Sequence, residues 1–252
     1  MSFTGRSVLV TGGSRGIGRA IARAFAAAGA RVAIAYSNDG AAAGRTLAEL
    51  PGAGHVALRA DLGAPADVHR LAREAFAALG RIDVLVNNAA IYLSHPPLAG
   101  AIEDWQRSFD RVFAVNFSGA ATLATLVGRH MAASGGGRII NISSRGAFRG
   151  VPDAPGYAAA KAALNQFSQS MAQALAPHRV GVYVIAPAAV ESDMTAATLA
   201  GPQGEAMRRE SPLGRVGRPE EIAATALFLA GPDAEFLTGG IVDAMGASYL
   251  RN

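Results

Sequence analysis

The chain contains no cysteine, and of its 23 basic residues only Lys161 is a lysine. Without cysteine there can be no disulfide, thiolate zinc site or thiol nucleophile. The histidines, His55, His69, His95, His130 and His178, never approach metal-ligand spacing, so no metal site is expected and they read as ordinary surface or loop residues. Charge is sparse, at 17% of residues, and the formal net charge is +4. The longest run of arginines is the pair Arg208-Arg209, so the clustered basic face of a nucleic-acid binder is missing. No uninterrupted apolar run reaches the ~18 residues of a membrane span. The residues after Met1 lack the charged-then-apolar order of a secretory signal. These absences lead to the expectation of a cytoplasmic protein with neither nucleic acid nor membrane among its partners.

What is present is apolar: half of the 252 residues, enough to bury the core of one large α/β domain. Short β-branched runs alternate with longer alanine-rich amphipathic runs, the pattern of repeated βαβ units. Strands are predicted at 7–11, 31–36, 55–60, 83–87, 138–142, 180–186 and 240–243. Helices are predicted at 17–28, 41–50, 65–79, 102–133, 154–176 and 219–229. The implied fold is a single α/β domain over 1–252, a Rossmann-type, doubly wound, parallel seven-stranded sheet with helices on both faces. The stretch 190–218 carries glycines and prolines without clear periodicity and reads as a lid loop over a substrate.

Directly after the first predicted strand stands Thr11-Gly12-Gly13-Ser14-Arg15-Gly16-Ile17-Gly18, opening a helix inside a βαβ unit. That context suits a dinucleotide-binding turn. Gly12, Gly16 and Gly18 permit a tight turn and close backbone approach to a pyrophosphate, while Ser14, Arg15 and Ile17 begin a helix whose unpaired N–H groups attract an anion. At the end of the second strand, where an acid would hold the ribose of NAD, the chain has Ser37-Asn38. With Arg15 as a cation and Ser37 as a donor, a 2′-phosphate is accommodated, so NADP(H) is the expected cofactor. Asp39, one residue beyond, keeps NAD(H) as the alternative. Asp61, followed by Leu62, could accept from the adenine amino group or merely cap the next helix, and Asn88-Ala89-Ala90 past the fourth strand could line the nucleotide.

Tyr157 lies four residues before Lys161, which puts both side chains on one helix face. A phenol near its usual ~10 is a poor acid at neutral pH, and a neighbouring ammonium favours the phenolate. Lysine suits that task as a compact point charge, whereas arginine is built for bidentate clamping.

Taken together, Thr11–Gly18, Asn87–Ala90, Asn116, Ser144 in Asn141-Ile-Ser-Ser and Tyr157-Ala-Ala-Ala-Lys161 resemble the short-chain dehydrogenase/reductase family over essentially the whole chain. The overall likeness is to its 3-oxoacyl-acyl-carrier-protein reductase branch. The resemblance implies hydride transfer between a nicotinamide and a small-molecule carbonyl or alcohol, with Tyr157 as general acid/base and Ser144 polarising the carbonyl oxygen. Ser144 is preferred to Ser143 because the family places its serine thirteen residues before the tyrosine. Lys161 would also hold the nicotinamide ribose, and Asn116 would distort its helix and anchor a proton-relaying water. Pro187-Ala188, Val190 and Ser192 stand where the family contacts the nicotinamide, with alanine and serine replacing its usual glycine and threonine. Near the C-terminus Met245-Gly246-Ala247 replaces the expected Asp-Gly-Gly, in a segment that often packs on a neighbouring subunit; a homotetramer is expected. Arg145 and Arg149, beyond the serine, suggest either an acidic substrate or solvated loop charges.

Overall fold

The computed structural model describes residues 1–251. Seven strands form one sheet: β1 (Ser7–Thr11), β2 (Arg31–Tyr36), β3 (Val56–Arg59), β4 (Val84–Asn87), β5 (Gly137–Ile142), β6 (Val180–Pro187) and β7 (Ile241–Ala244). Their spatial order is β3-β2-β1-β4-β5-β6-β7, and every pair is parallel. Both faces are covered, as a parallel sheet requires. In β1 the side chains alternate: Val8 and Val10 join one apolar cluster with Ile21, Phe25 and Leu229, while Leu9 joins a second with Leu71, Leu85, Leu123 and Met131. Each fully buried side chain of this kind contributes about 1.5–3 kcal/mol relative to exposure.

The helices are α1 (Gly16–Ala27), α2 (Gly40–Glu49), α3 (Pro65–Leu79), α4 (Ile102–Phe113), α5 (Ala120–Ala133), α6 (Pro155–Leu175), α7 (Asp193–Ala200), α8 (Gly204–Arg209) and α9 (Pro219–Ala230). The predicted helix over 102–133 is divided, because Ala114–Gly119 takes the wider π-helical turn between α4 and α5. The stretch Ile102–Ala133 has a window of mean hydropathy 1.2, and half of that window is buried; its apolarity serves packing against the sheet. The segment 190–218 is likewise not structureless. It contains α7 and α8, and its ends are joined where the Glu191 N–H donates to Gly217 and the Gly217 N–H to Ala189, both at 2.9 Å. Periodicity could not reveal helices of eight and six residues.

The chain order reverses between β1 and β4, so the helices after β1 and β4 leave the sheet to opposite sides. The cleft at the C-terminal ends of those strands is where open α/β sheets bind ligands.

Candidate active site

The glycine turn runs from the end of β1 into α1. Gly12 and Gly16 have φ of +63° and +52°, the left-handed region that favours glycine. A Cβ at Gly18 would lie 2.1 Å from the Gly12 carbonyl oxygen, and one at Gly12 would lie 2.9 Å from the Ala89 Cα. Arg15 stands at the N-cap of α1 without a side-chain capping bond, and the first turn holds no acid. The first N–H groups of α1 therefore have no side-chain acceptor at the N-cap, at the positive end of the helix dipole. Thr11 braces the turn: its Oγ1 accepts from the N–H groups of Asn88 and Ala89 at 3.0 Å. The Asn88 amide donates to the carbonyls of Thr11 and Gly12 at 2.9 and 3.2 Å. Asn88 thus serves as the strut of the turn, and Ala89 and Ala90 extend from it along the cleft.

At the end of β2, Ser37 and Asn38 are bonded to one another at 3.1 Å. Asp39 caps α2, its carboxylate accepting from the Ala42 N–H at 2.8 Å. Arg59, not anticipated from the sequence, donates to the Ser37 carbonyl at 3.2 Å because Tyr36 and Arg59 are register partners. Asp61 is held by Arg111 through two 2.9 Å bonds and by the Gly63 N–H at 2.9 Å. Burial pulls its carboxyl upward, but those donors outweigh burial and leave it below the usual carboxylate value. Leu62 is buried beneath it against the second apolar cluster.

The candidate catalytic residues lie at the end of β5, at the start of α6 and in the π-helical turn between α4 and α5. Tyr157 and Lys161 are one turn apart on α6, with the Lys161 Nζ 6.0 Å from the centroid of the Tyr157 ring. Lys161 is only 2% exposed, and Nζ donates to the Ile142 carbonyl at 2.7 Å. Desolvation lowers its pKa from 10.5 to about 8. For Tyr157 the expected depression is corrected: desolvation raises its pKa, and the hydrogen bond from Ser144 pulls it only partway back. The Lys161 ammonium is directed at the Ile142 carbonyl and not at the phenol. Ser144, just past β5, also accepts from the Gly146 N–H at 3.0 Å. Ser143 bonds the Lys161 carbonyl at 3.3 Å and is turned away from the phenol. Asn116 sits in the π-helical turn, 1% exposed, and exchanges two hydrogen bonds with the Ile91 backbone at 2.8 and 2.9 Å.

On the far wall, Ala188 continues the ladder beyond Pro187, its N–H donating to Ala244 at 3.2 Å. Val190 is buried. Ser192 opens α7, its N–H donating to Thr195 Oγ1 at 3.1 Å, and a Cβ on Gly16 would lie 3.3 Å from the Ser192 Cβ. The glycine turn and the segment 190–218 therefore meet. Arg145 is largely covered and pairs with Glu210 after α8 at 2.5 Å, whereas Arg149 stays exposed and meets the same carboxylate at only 3.5 Å. His95 is also not a surface residue: it is 4% exposed. Tyr92 packs against the Tyr157 ring at 5.1 Å between centroids with the rings tilted by 60° and donates to Asp153 at 2.7 Å. Desolvation and then the Asp153 bond raise the Tyr92 pKa. Nothing local in the sequence marks these contacts, which join segments 61 residues apart.

A family profile described as enoyl-(acyl carrier protein) reductase matches residues 12–246. The chain belongs to the short-chain dehydrogenase/reductase family. It is 38% identical over 261 residues to the sorbitol dehydrogenase of Cereibacter sphaeroides, covering 99% of this chain and 100% of the relative. It is 37% identical over 251 residues to the 3-oxoacyl-acyl-carrier-protein reductase of Escherichia coli, with the same coverage. A dehydrogenase/reductase from Sinorhizobium meliloti 1021 superposes with a TM-score of 0.90 at 36% identity, covering 99% of this chain and 97% of that one. A short-chain dehydrogenase from Burkholderia cenocepacia, solved in complex with NADP, gives 0.88 at 31% identity, covering 98% and 99%. This short-chain dehydrogenase/reductase is accordingly an oxidoreductase, and its seven-stranded parallel sheet is the family's Rossmann-type fold.

Proposed function

We propose that the protein interconverts a carbonyl and a secondary alcohol with NADP(H), acting on 3-oxoacyl thioesters or closely similar ketones. The observation that carries the reading is the Tyr157 phenol within reach of Ser144 and one turn from the chain's single lysine, on the same chain as a glycine cradle fit for a pyrophosphate. The cradle fits a pyrophosphate, since a Cβ at Gly18 or Gly12 would fill it and the start of α1 presents uncapped N–H groups. A bound nicotinamide dinucleotide supplies the hydride. Tyr157 gives its proton to the developing alkoxide and recovers it from the alcohol in reverse. Ser144 donates to the same oxygen and holds the carbonyl against the phenol. Lys161 places an ammonium beside the cleft, and the π-helical turn at Asn116 frees backbone carbonyls that can hold a water for proton return.

NADP(H) is favoured over NAD(H) because Asp39 caps α2, Ser37 and Arg59 stand together at the end of β2, and the exposed Arg15 at the start of α1 is held only by a 3.6 Å pair with Asp193; a relative from Burkholderia cenocepacia was solved in complex with NADP. Gly12, Ser14, Gly16, Ile17, Gly18, Asn38, Asp61, Leu62, Asn88, Ala89, Ala90, Pro187, Ala188, Val190 and Ser192 complete the cofactor contacts in this reading. The chain acts as one dinucleotide-binding and catalytic domain, with 190–218 as the substrate lid. The protein is read as a cytoplasmic homotetramer; the partly buried aromatic row Trp105, Phe109, Phe113, Phe117 and Phe167 along α4 to α6 and the fully exposed Phe236 offer apolar surface for subunit contacts.

The test is NADPH oxidation over a panel of ketones, 3-oxoacyl thioesters and ketoses with wild type and Tyr157→Phe. Turnover by wild type and its loss in Tyr157→Phe with NADPH binding intact is expected. NADPH binding with no turnover by wild type would instead identify a catalytically silent dinucleotide sensor.

A further inference from the structure

The helix that carries Tyr157 starts without a cap of its own. Ala154 stands at the N-cap of α6 and offers no side-chain acceptor, and Pro155 and Gly156 follow at the first two helical positions. The free N–H groups of a helix start need acceptors, and a Ser, Thr, Asp or Asn usually provides one from within the same segment. Here the acceptor comes from another part of the chain. The Gly156 N–H donates to His95 Nε2 at 2.9 Å. The other ring nitrogen, Nδ1, lies 2.7 Å from the Leu93 carbonyl. A carbonyl only accepts and a backbone N–H only donates, so the two partners together fix one tautomer: neutral, with the proton on Nδ1.

Four further observations tie this ring to the phenol. His95 is buried among Trp105 and Phe109, whose rings lie 6.0 and 6.3 Å away and meet it edge-on. The His95 N–H donates to the Asp153 carbonyl at 2.7 Å, and Tyr92 and Ser94 bond Asp153 at 2.7 and 3.3 Å. Residues 92–95 therefore grip 153–156, the residues immediately before Tyr157, through four hydrogen bonds. Tyr92 closes the grip by packing its ring on that of Tyr157. Finally, a Cβ at Gly156 would lie 2.8 Å from both His95 Nε2 and Phe109 Cδ2, so the approach of the imidazole to the helix start depends on glycine there.

We propose that His95 is a positioning residue for the hydride-transfer reaction: as the neutral Nδ1–H tautomer it caps α6 through Gly156 and fixes where the Tyr157 hydroxyl stands. The inference rests on the reading of Tyr157 as the general acid. It also assigns a role to the loop after β4, which couples the wall of the substrate cleft to the phenol. Substrates that press on residues 91–97 act on the position of the proton donor as well as on binding.

The test compares His95→Gln, which places an amide oxygen near the position of Nε2, with His95→Leu, which fills the space without an acceptor. For His95→Leu, kcat is expected to fall about 10-fold, in line with the sensitivity of proton transfer to displacements below 1 Å, with ketone KM and NADPH Kd each within about 2-fold of wild type. His95→Gln is expected to restore kcat to within about 3-fold of wild type, as a retained acceptor keeps the cap. Gly156→Ala, which pushes the ring away without altering it, serves as the second variant and is expected to reproduce the His95→Leu loss even if His95→Leu proves too unstable to assay. Equal losses in His95→Gln and His95→Leu would overturn the proposal in favour of ring packing alone, as would unchanged kcat in Gly156→Ala. Full activity in Tyr157→Phe would refute the general-acid reading itself, a result separate from any of these.

Discussion

Replacing Lys161 by methionine should make the protein more stable and inactive. The ammonium is buried, and desolvation takes its pKa from 10.5 to about 8. That drop corresponds to about 3 kcal/mol of native-state penalty at neutral pH, at about 1.4 kcal/mol for each tenfold change. Methionine matches the stem in shape and removes the charge, but it also removes the Nζ donor to the Ile142 carbonyl, which returns about 1 kcal/mol. The net gain is about 2 kcal/mol, or roughly 4–8 °C in Tm for a chain of this size. The gain must depend on pH in one direction. Below pH 8 the amine is protonated in both folded and unfolded chains, and the penalty is complete. Between about 8 and 10.5 the unfolded chain binds more protons than the folded one, so wild-type stability rises with pH relative to the variant. Thermal melts of both proteins from pH 7 to 10, at one protein concentration without dinucleotide, should show midpoints separated at pH 7 and converging as pH rises. A variant less stable than wild type at pH 7, or a separation that ignores pH, would show that the ammonium is not held at a cost.

Three further outcomes follow from the geometry. Arg15→Ala should narrow the preference for NADPH over NADH by about 10-fold, the value of a lost charge-assisted contact; fluorescence titration of both dinucleotides reads it, and an unchanged ratio counts against Arg15. Asn116→Ala should cost about 2 kcal/mol, since the Ile91 N–H and carbonyl both lose their partner, with kcat falling alongside Tm; a normal kcat at lowered Tm would confine Asn116 to a structural role. Gly18→Ala should weaken dinucleotide binding at least about 10-fold, because the cradle cannot accept a Cβ 2.1 Å from the Gly12 oxygen without moving, and equilibrium dialysis with NADPH checks it.

The sheet was legible because it is written twice, in β-branched runs and in the alanine-rich helices between them. The predicted strand at 83–87 differs from β4 by one residue, and even β7, the shortest signal, is displaced by one position. The glycine turn and the Tyr157–Lys161 pair were legible because their spacing is their geometry: neighbours on one turn of one helix need no tertiary information. What the sequence hid is contact between distant segments. Asp39, the acid that keeps NAD(H) open as the alternative, also caps α2 through the Ala42 N–H, a contact its position in the sequence does not reveal. Arg145 and Arg149 meet Glu210, a partner supplied from 190–218, 65 and 61 residues away. His95 looked like loop surface because its partners, Leu93, Gly156, Trp105 and Phe109, are assembled only when α4 and α6 pack. The helices of 190–218 escaped because amphipathic periodicity needs more than two turns to register.

The solitary lysine makes the cleft chemically addressable. Within this chain an amine-directed reagent finds only two targets, the terminal α-amine and Lys161, and the second is buried and weakly basic. If Lys161 holds the dinucleotide as proposed, covalent tagging at the ε-amine, told apart from the α-amine by mass analysis of a digest, should fall as dinucleotide is added, a readout that requires no turnover and no knowledge of the substrate.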